Sequence, residues 1–262
     1  MTTAAAVRER PILFSGPMVR ALLDGRKTQT RRVVKPQPKS EATPVFGPLY
    51  LGPDVAHEST SHLVWQDDPQ SYFKLPCPFG QPGDLLYVRE TWAIKNWSDR
   101  ELASCGFDDA PTHPTEVYLG TPTRAIHQAS YNNMVGDLGR WRPSIHMPKW
   151  AARIWLRVTD VRVEQVQEIT EGDAWAEGVQ IPVSESGGIL MRCSPNAAGK
   201  APASYLPLGR CFIGQPPLTK AELAISHYAD LWDELNAKRG YGWDANPFVW
   251  VVTFEKAEAP RP

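Results

Sequence analysis

Gly25-Arg26-Lys27-Thr28-Gln29-Thr30-Arg31-Arg32 places one amine, two hydroxyls, an amide and three guanidinium groups within eight residues. It follows an amphipathic segment that opens at Pro17 and carries Met18, Val19, Leu22 and Leu23. Gly25 suits a left-handed helix stop, and the β-branched threonines with Val33-Val34 favour an extended strand after it. The stretch is therefore expected at a helix-to-strand corner. So dense a set of donors suits an anionic or carbonyl-rich ligand. From Arg20 to Lys39 seven basic residues face Asp24 alone, in a chain whose formal net charge is -1. A protein that coats long nucleic acid through its phosphates is usually basic overall, so the charge points to one cationic pocket or small patch. A solvated basic turn is the plainer alternative.

The chain has 262 residues, among them 25 prolines, 19 glycines and ten tryptophans. That length gives ample core, and the Pro and Gly content predicts long irregular loops around it. Tryptophan is first of all a core residue, with base stacking as its second use. Cys77, Cys105, Cys193 and Cys211 form no Cys-x-x-Cys pair, which leaves a zinc site unsupported, and no cofactor is indicated. Met1 to Arg10 has no apolar run and no segment approaches membrane-spanning length, so a soluble cytoplasmic protein with reduced thiols is expected.

In chain order, Pro11 to Ser15 reads as a buried strand and Met18 to Asp24 as a helix. Residues 36–82 have little periodicity apart from one hairpin around Leu63-Val64-Trp65 and Tyr72-Phe73. Gly83-Asp84-Leu85-Leu86-Tyr87-Val88 reads as a turn feeding a strand that ends in Arg89-Glu90-Thr91-Trp92. Residues 93–143 hold a possible strand at Val117-Tyr118-Leu119 and a Tyr131-Asn132-Asn133 turn. A long alternating strand runs from Ile154. Thr170 with Asp173 predicts a capped two-turn helix stopped by Gly178, and Thr219 with Glu222 a capping box for a helix bearing Leu223, Tyr228 and Trp232. Pro247 to Phe254 reads as a last buried strand. His146 is expected to be a structural residue near a turn.

These readings give one domain over 1–262, with core segments 10–35, 83–92, 144–180 and 218–256 and insertions 36–82, 93–143 and 181–217. The insertions are together longer than the core. The expected fold class is α+β, a small closed or partly closed β-barrel with two or three short helices and long loop insertions.

Gly25-Arg26-Lys27-Thr28-x-Thr30-x-Arg32, the Gly83-Asp84-Leu85-Leu86 strand, Thr170-Glu171-x-x-Ala174-x-x-Glu177 and the terminal Phe/Val/Trp strand resemble an ASCH domain of the PUA-like superfamily. Arg142-Pro143-Ser144-Ile145-His146-Met147-Pro148-Lys149-Trp150 and Gly240-Tyr241-Gly242-Trp243-Asp244-x-Asn246-Pro247 further resemble the larger phage and prophage members. The resemblance covers the core and not the insertions. It implies recognition of a nucleobase, nucleoside or RNA in a cleft beside the barrel. Small bacterial members with Gly-Arg-Lys-Thr-x-Thr are N4-acetylcytidine amidohydrolases, and their catalytic Lys, Thr and Glu fall on Lys27, Thr30 and Glu177.

An amide needs a nucleophile, a proton shuttle and an oxyanion partner. Thr30 would attack the acyl carbon, a neutral Lys27 would take its proton, and Glu177 would protonate the departing amine. Arg26, Arg31 and Arg32 disfavour a further charge on Lys27. With Thr28, these arginines are the expected ligand-binding residues, joined by Trp92, Tyr241 and Trp243 as stacking candidates. Lys27 and Thr30 are three apart and would diverge in a flat strand, so a turn or a delayed strand start near Gln29 is expected. Each residue also has an ordinary structural role open to it: Thr30 as a strand former, Glu177 as a solvated helix end, Lys27 as a phosphate contact. The alternative function is a non-catalytic RNA-binding module of phage origin. No metal and no membrane partner is expected.

Overall fold

The computed structural model describes residues 7–38, 45–46, 62–68, 71–96, 116–118, 121–130, 140–180, 190–193, 204–207 and 220–260. The fold is α+β, with a five-stranded sheet in the order β1 (Glu9–Leu13), β6 (Leu85–Arg89), β10 (Trp155–Gln165), β13 (Phe248–Ala257) and β2 (Gln29–Val33). β1 and β6 are parallel, and β6 and β10 antiparallel with Leu86 opposite Leu156. The chain gathers into two compact units. One is Met1–Gly25, Lys39–Arg162 and Val252–Pro262; the other is Arg26–Pro38 and Val163–Val251.

In the first unit, α1 (Gly16–Leu23) starts with Pro17 in its first turn, where the missing N–H costs nothing. Its buried face is Val19, Ala21 and Leu22. Gly25 follows at φ 74°, the left-handed stop expected of it. The hairpin foreseen in the first insertion is β4 (His62–Asp68) with β5 (Ser71–Pro76), Trp65 opposite Phe73, and β3 (Val45–Phe46) pairs with β4. A second three-stranded sheet has the order β7 (Trp92–Asn96), β9 (Thr121–His127), β8 (Glu116–Tyr118). β8 matches the strand expected near Val117. β7 and β9 were not expected, because the polar Glu90-Thr91 pair reads as a strand's end when it is only a two-residue break. The Tyr131-Asn132-Asn133 turn lies outside the described residues. Trp92 packs with Met147, Ala152 and Trp155 in a core cluster. His146 is exposed, in a 3₁₀ turn whose N–H donates to the Pro143 carbonyl at 3.0 Å.

Cys77 is buried in the same unit, and burial pushes its thiol up to about 12. The native thiol therefore stays protonated. Alkylation of the Cys77 peptide by iodoacetamide at about pH 8 is expected to be roughly a thousandfold slower in native protein than in denaturant, read by peptide mass spectrometry. Equal rates would contradict this. The unfolded thiol ionises first, so this group also lowers stability as pH rises from 9.0 towards about 12.

In the second unit, α2 (Glu171–Ala176) has the predicted cap: the Asp173 N–H donates to Thr170 Oγ1 at 3.2 Å, and the Thr170 N–H to Asp173 Oδ2 at 3.2 Å. Gly178, at φ 85°, ends it. α3 (Lys220–Asn236) follows; Thr219, its expected cap, lies outside the described residues. Between the two helices β11 (Leu190–Cys193) pairs with β12 (Ser204–Pro207), a hairpin that the Ser/Gly/Pro-rich third insertion does not announce. The core of this unit includes Val166, Ile169, Tyr228, Trp232, Val249 and Val251. β2 is fastened beside β13 by the Val34 N–H, which donates to the Phe248 carbonyl, and by Gln37, whose side chain bonds both Val34 and Phe248.

Candidate functional site

The basic stretch wraps the C-terminal end of α2. Three successive carbonyls there take donors from three successive residues: Thr28 N–H to Ala176 at 2.8 Å, Lys27 Nζ to Glu177 at 2.8 Å, Arg26 Nη1 to Gly178 at 3.2 Å. The last carbonyls of a helix lack intrahelical partners and carry the negative end of its dipole, so cations belong there. Arg26 and Lys27 thus serve as C-terminal capping groups in addition to any ligand role. β2 begins only at Gln29, and the lead-in from Arg26 to Thr28 is not strand.

Lys27 Nζ also donates to Glu177 Oε2 at 2.7 Å, with the two side chains 0 % and 5 % exposed. Burial drives the Lys27 amine below the ordinary lysine range; Glu177 pulls it back up, and Arg32 and Arg31 add to the downward push. The other carboxylate oxygen of Glu177 lies 3.7 Å from Arg31 Nη1 and makes no hydrogen bond among the described residues. Arg31 is held from two other directions, by Glu164 Oε2 on β10 at 2.9 Å and Asp173 Oδ2 on α2 at 3.3 Å. Asp173 and Glu177 are one turn apart and so share a face of α2. Tyr228 of α3 closes the group, with Arg31 Cζ 6.0 Å from its ring centroid. Burial first and Glu177 second push its phenol well above the usual range. Burial likewise lowers Arg32, which Glu177 and Tyr228 pull back up.

Of the residues named from sequence, the structure brings Lys27, Arg31, Arg32 and Glu177 together. Thr30 is buried nearby in β2, but its hydroxyl is not among the groups bonded to Lys27 or Glu177 among the described residues; strand alternation sets it on the face opposite Arg31. Thr28 is exposed. Trp243 is half-buried and edge-on to Tyr228 at 6.2 Å, so it reaches the cluster through that ring. Tyr241 is half-buried, with Lys35 Nζ 5.3 Å from its centroid. Trp92 lies in the core of the first unit, 2 % exposed and edge-on to Trp150. Glu164, Asp173 and Tyr228 were missed as site residues. Asp173 reads locally as a cap, Tyr228 as an apolar helix face and Glu164 as a strand's polar position.

A cavity of about 340 Å³ lies in the first unit instead, lined by Gly16, Pro17, Arg20, Glu90, Thr91 and Gln128. Its buried carboxylate, Glu90, is spent on a bidentate pair with Arg153 at 2.8 and 2.9 Å. The buried Lys27–Glu177 pair lies outside this cavity, and there one carboxylate oxygen of Glu177 has no hydrogen-bond partner among the described residues. Among the described residues no group of three or more His, Cys, Asp and Glu side chains is placed to hold a metal, and no helix is long and apolar enough to cross a membrane. No family model matches the chain, and no curated protein and no solved structure matches it.

Proposed function

We propose that the chain is an ASCH-type protein of the PUA-like superfamily, its five-stranded sheet being part of a small barrel, and that it hydrolyses the amide of an N4-acylated cytosine nucleoside. The observation that carries the reading is the buried Lys27–Glu177 pair at 2.7 Å, with the lysine amine driven down by burial. A lysine so placed is a base at a pH where ordinary lysines are not. With Lys27 as the neutral amine, Thr30 Oγ bonds to the acyl carbon as its proton passes to Lys27 Nζ and on to Glu177. The carbon–N4 bond then breaks as Glu177 hands that proton to the departing amine, leaving an acyl-Thr30 ester. Water attacks that ester, its proton passing to Glu177 and through Lys27 to Thr30 Oγ as the ester bond breaks. Acetic acid leaves and the pair is restored. β2 starts only at Gln29, so Lys27 precedes the strand, and the attack requires the Thr30 hydroxyl to turn from the β2 face opposite Arg31 towards Lys27 Nζ.

The non-catalytic RNA-binding reading is less well supported, because Lys27 and Arg31 are buried against carboxylates rather than turned out for phosphates. Incubation with N4-acetylcytidine followed by liquid chromatography tests the proposal. Release of cytidine and acetate is the expected result. Intact substrate together with salt-dependent RNA binding would overturn it in favour of the binding module.

A further inference from the structure

Arg31 was expected to bind ligand, but its surroundings assign it other work. Its side chain is 0 % exposed, and three carboxylates from two elements converge on it. Glu164 and Asp173 share Nη2 at one end of the fork; at the other end Nη1 stands 3.7 Å from Glu177 Oε1, close enough to attract and too far to bond. Lys27 has the opposite oxygen, Oε2. One carboxylate thus lies between two cations, each on its own oxygen.

We propose that Arg31 is a positioning residue: anchored by Glu164 and Asp173, it divides the Glu177 carboxylate so that Lys27 holds Oε2 alone and Oε1 is kept for the ligand's departing nitrogen. Through the shared carboxylate it also governs when Lys27 releases its proton. The groups facing this pair are Arg31 and Arg32 from β2, Asp173 from α2, Glu164 from β10 and Tyr228 from α3. The inference deepens the hydrolase reading and rests on it for the meaning of Oε1.

The test needs no substrate. In protein carrying carbon-13 at lysine Cε, the Lys27 resonance, assigned by its loss in Lys27→Met, is followed against pH. Arg31→Gln removes a neighbouring positive charge and is expected to raise the Lys27 midpoint by about one pH unit. Glu164→Gln removes the anchor's negative charge and is expected to lower it by roughly half a unit. Because Glu164 is 21 % exposed, that variant is expected to fold, and it carries the test alone should Arg31→Gln not fold. Opposite shifts establish that Arg31 and its anchor act on the Lys27 proton. An unmoved midpoint in either folded variant, or shifts of the same sign, would overturn it. Absence of turnover in the wild type is a separate result, bearing on the hydrolase reading and not on this electrostatic coupling.

Discussion

Glu177→Ala is expected to destabilise the protein by about 3–5 kcal/mol at neutral pH, the usual cost of stripping a buried cation of its partner. Lys27 is 0 % exposed, and the variant removes the carboxylate that balances its charge while leaving the backbone carbonyl of residue 177 as an acceptor. Urea denaturation of wild type and variant measures the loss. Replacing both partners by apolar groups, Lys27→Met with Glu177→Leu, is expected to recover most of it, because no charge is then left buried. The sign of the pH dependence follows from the lowered lysine. The unfolded chain holds the Lys27 proton up to 10.5 and the folded chain releases it earlier, so the Lys27 term stabilises increasingly as pH rises through that window. The deficit of Glu177→Ala should therefore shrink as pH approaches 10.5. A deficit independent of pH, or one below about 1 kcal/mol, would mean that the pair is solvated.

Lys27→Met is expected to lower kcat/KM for N4-acetylcytidine by about 10²- to 10⁴-fold, the range for loss of a general base. The wild-type rate should rise with pH through a midpoint below 10.5, since burial lowers the amine, and the rise should vanish in the variant. Lys27→Arg retains the charge but cannot give up its proton, so it should be as inactive as Lys27→Met. Thr30→Ser, which keeps a hydroxyl, should retain activity that Thr30→Ala loses. Activity in Lys27→Arg would show that the residue acts by its charge, through the α2 carbonyls, and not as a base.

Features written in local chemistry were legible from sequence. Gly25, the Thr170–Asp173 cap and Gly178 depend on neighbours within a few residues, and they fixed the ends of α1 and α2. The alternation in β10 and the apolar run in β13 did the same for the strands. The cluster's membership was less legible, because Lys27 and Glu177 are 150 residues apart and Arg31 and Glu164 are 133. No periodicity carries such a pairing. The basic stretch announced a ligand site by its donors, yet most of those donors are spent within the protein, on α2 carbonyls and on carboxylates that each had an adequate local explanation. Tyr228 was legible as core, and its nearness to four charged groups was not. Burial, the quantity that makes Lys27 reactive, belongs to the folded chain alone.

The most direct test of the account is cytidine release from N4-acetylcytidine by the wild type beside Lys27→Ala, Thr30→Ala and Glu177→Gln, with folding checked by circular dichroism. Turnover in the wild type and its loss in all three folded variants is the predicted result. Turnover that survives in any of the three would contradict the role assigned to that residue, and a wild type that leaves the amide intact would contradict the reading of the Lys27–Glu177 pair as a hydrolytic site.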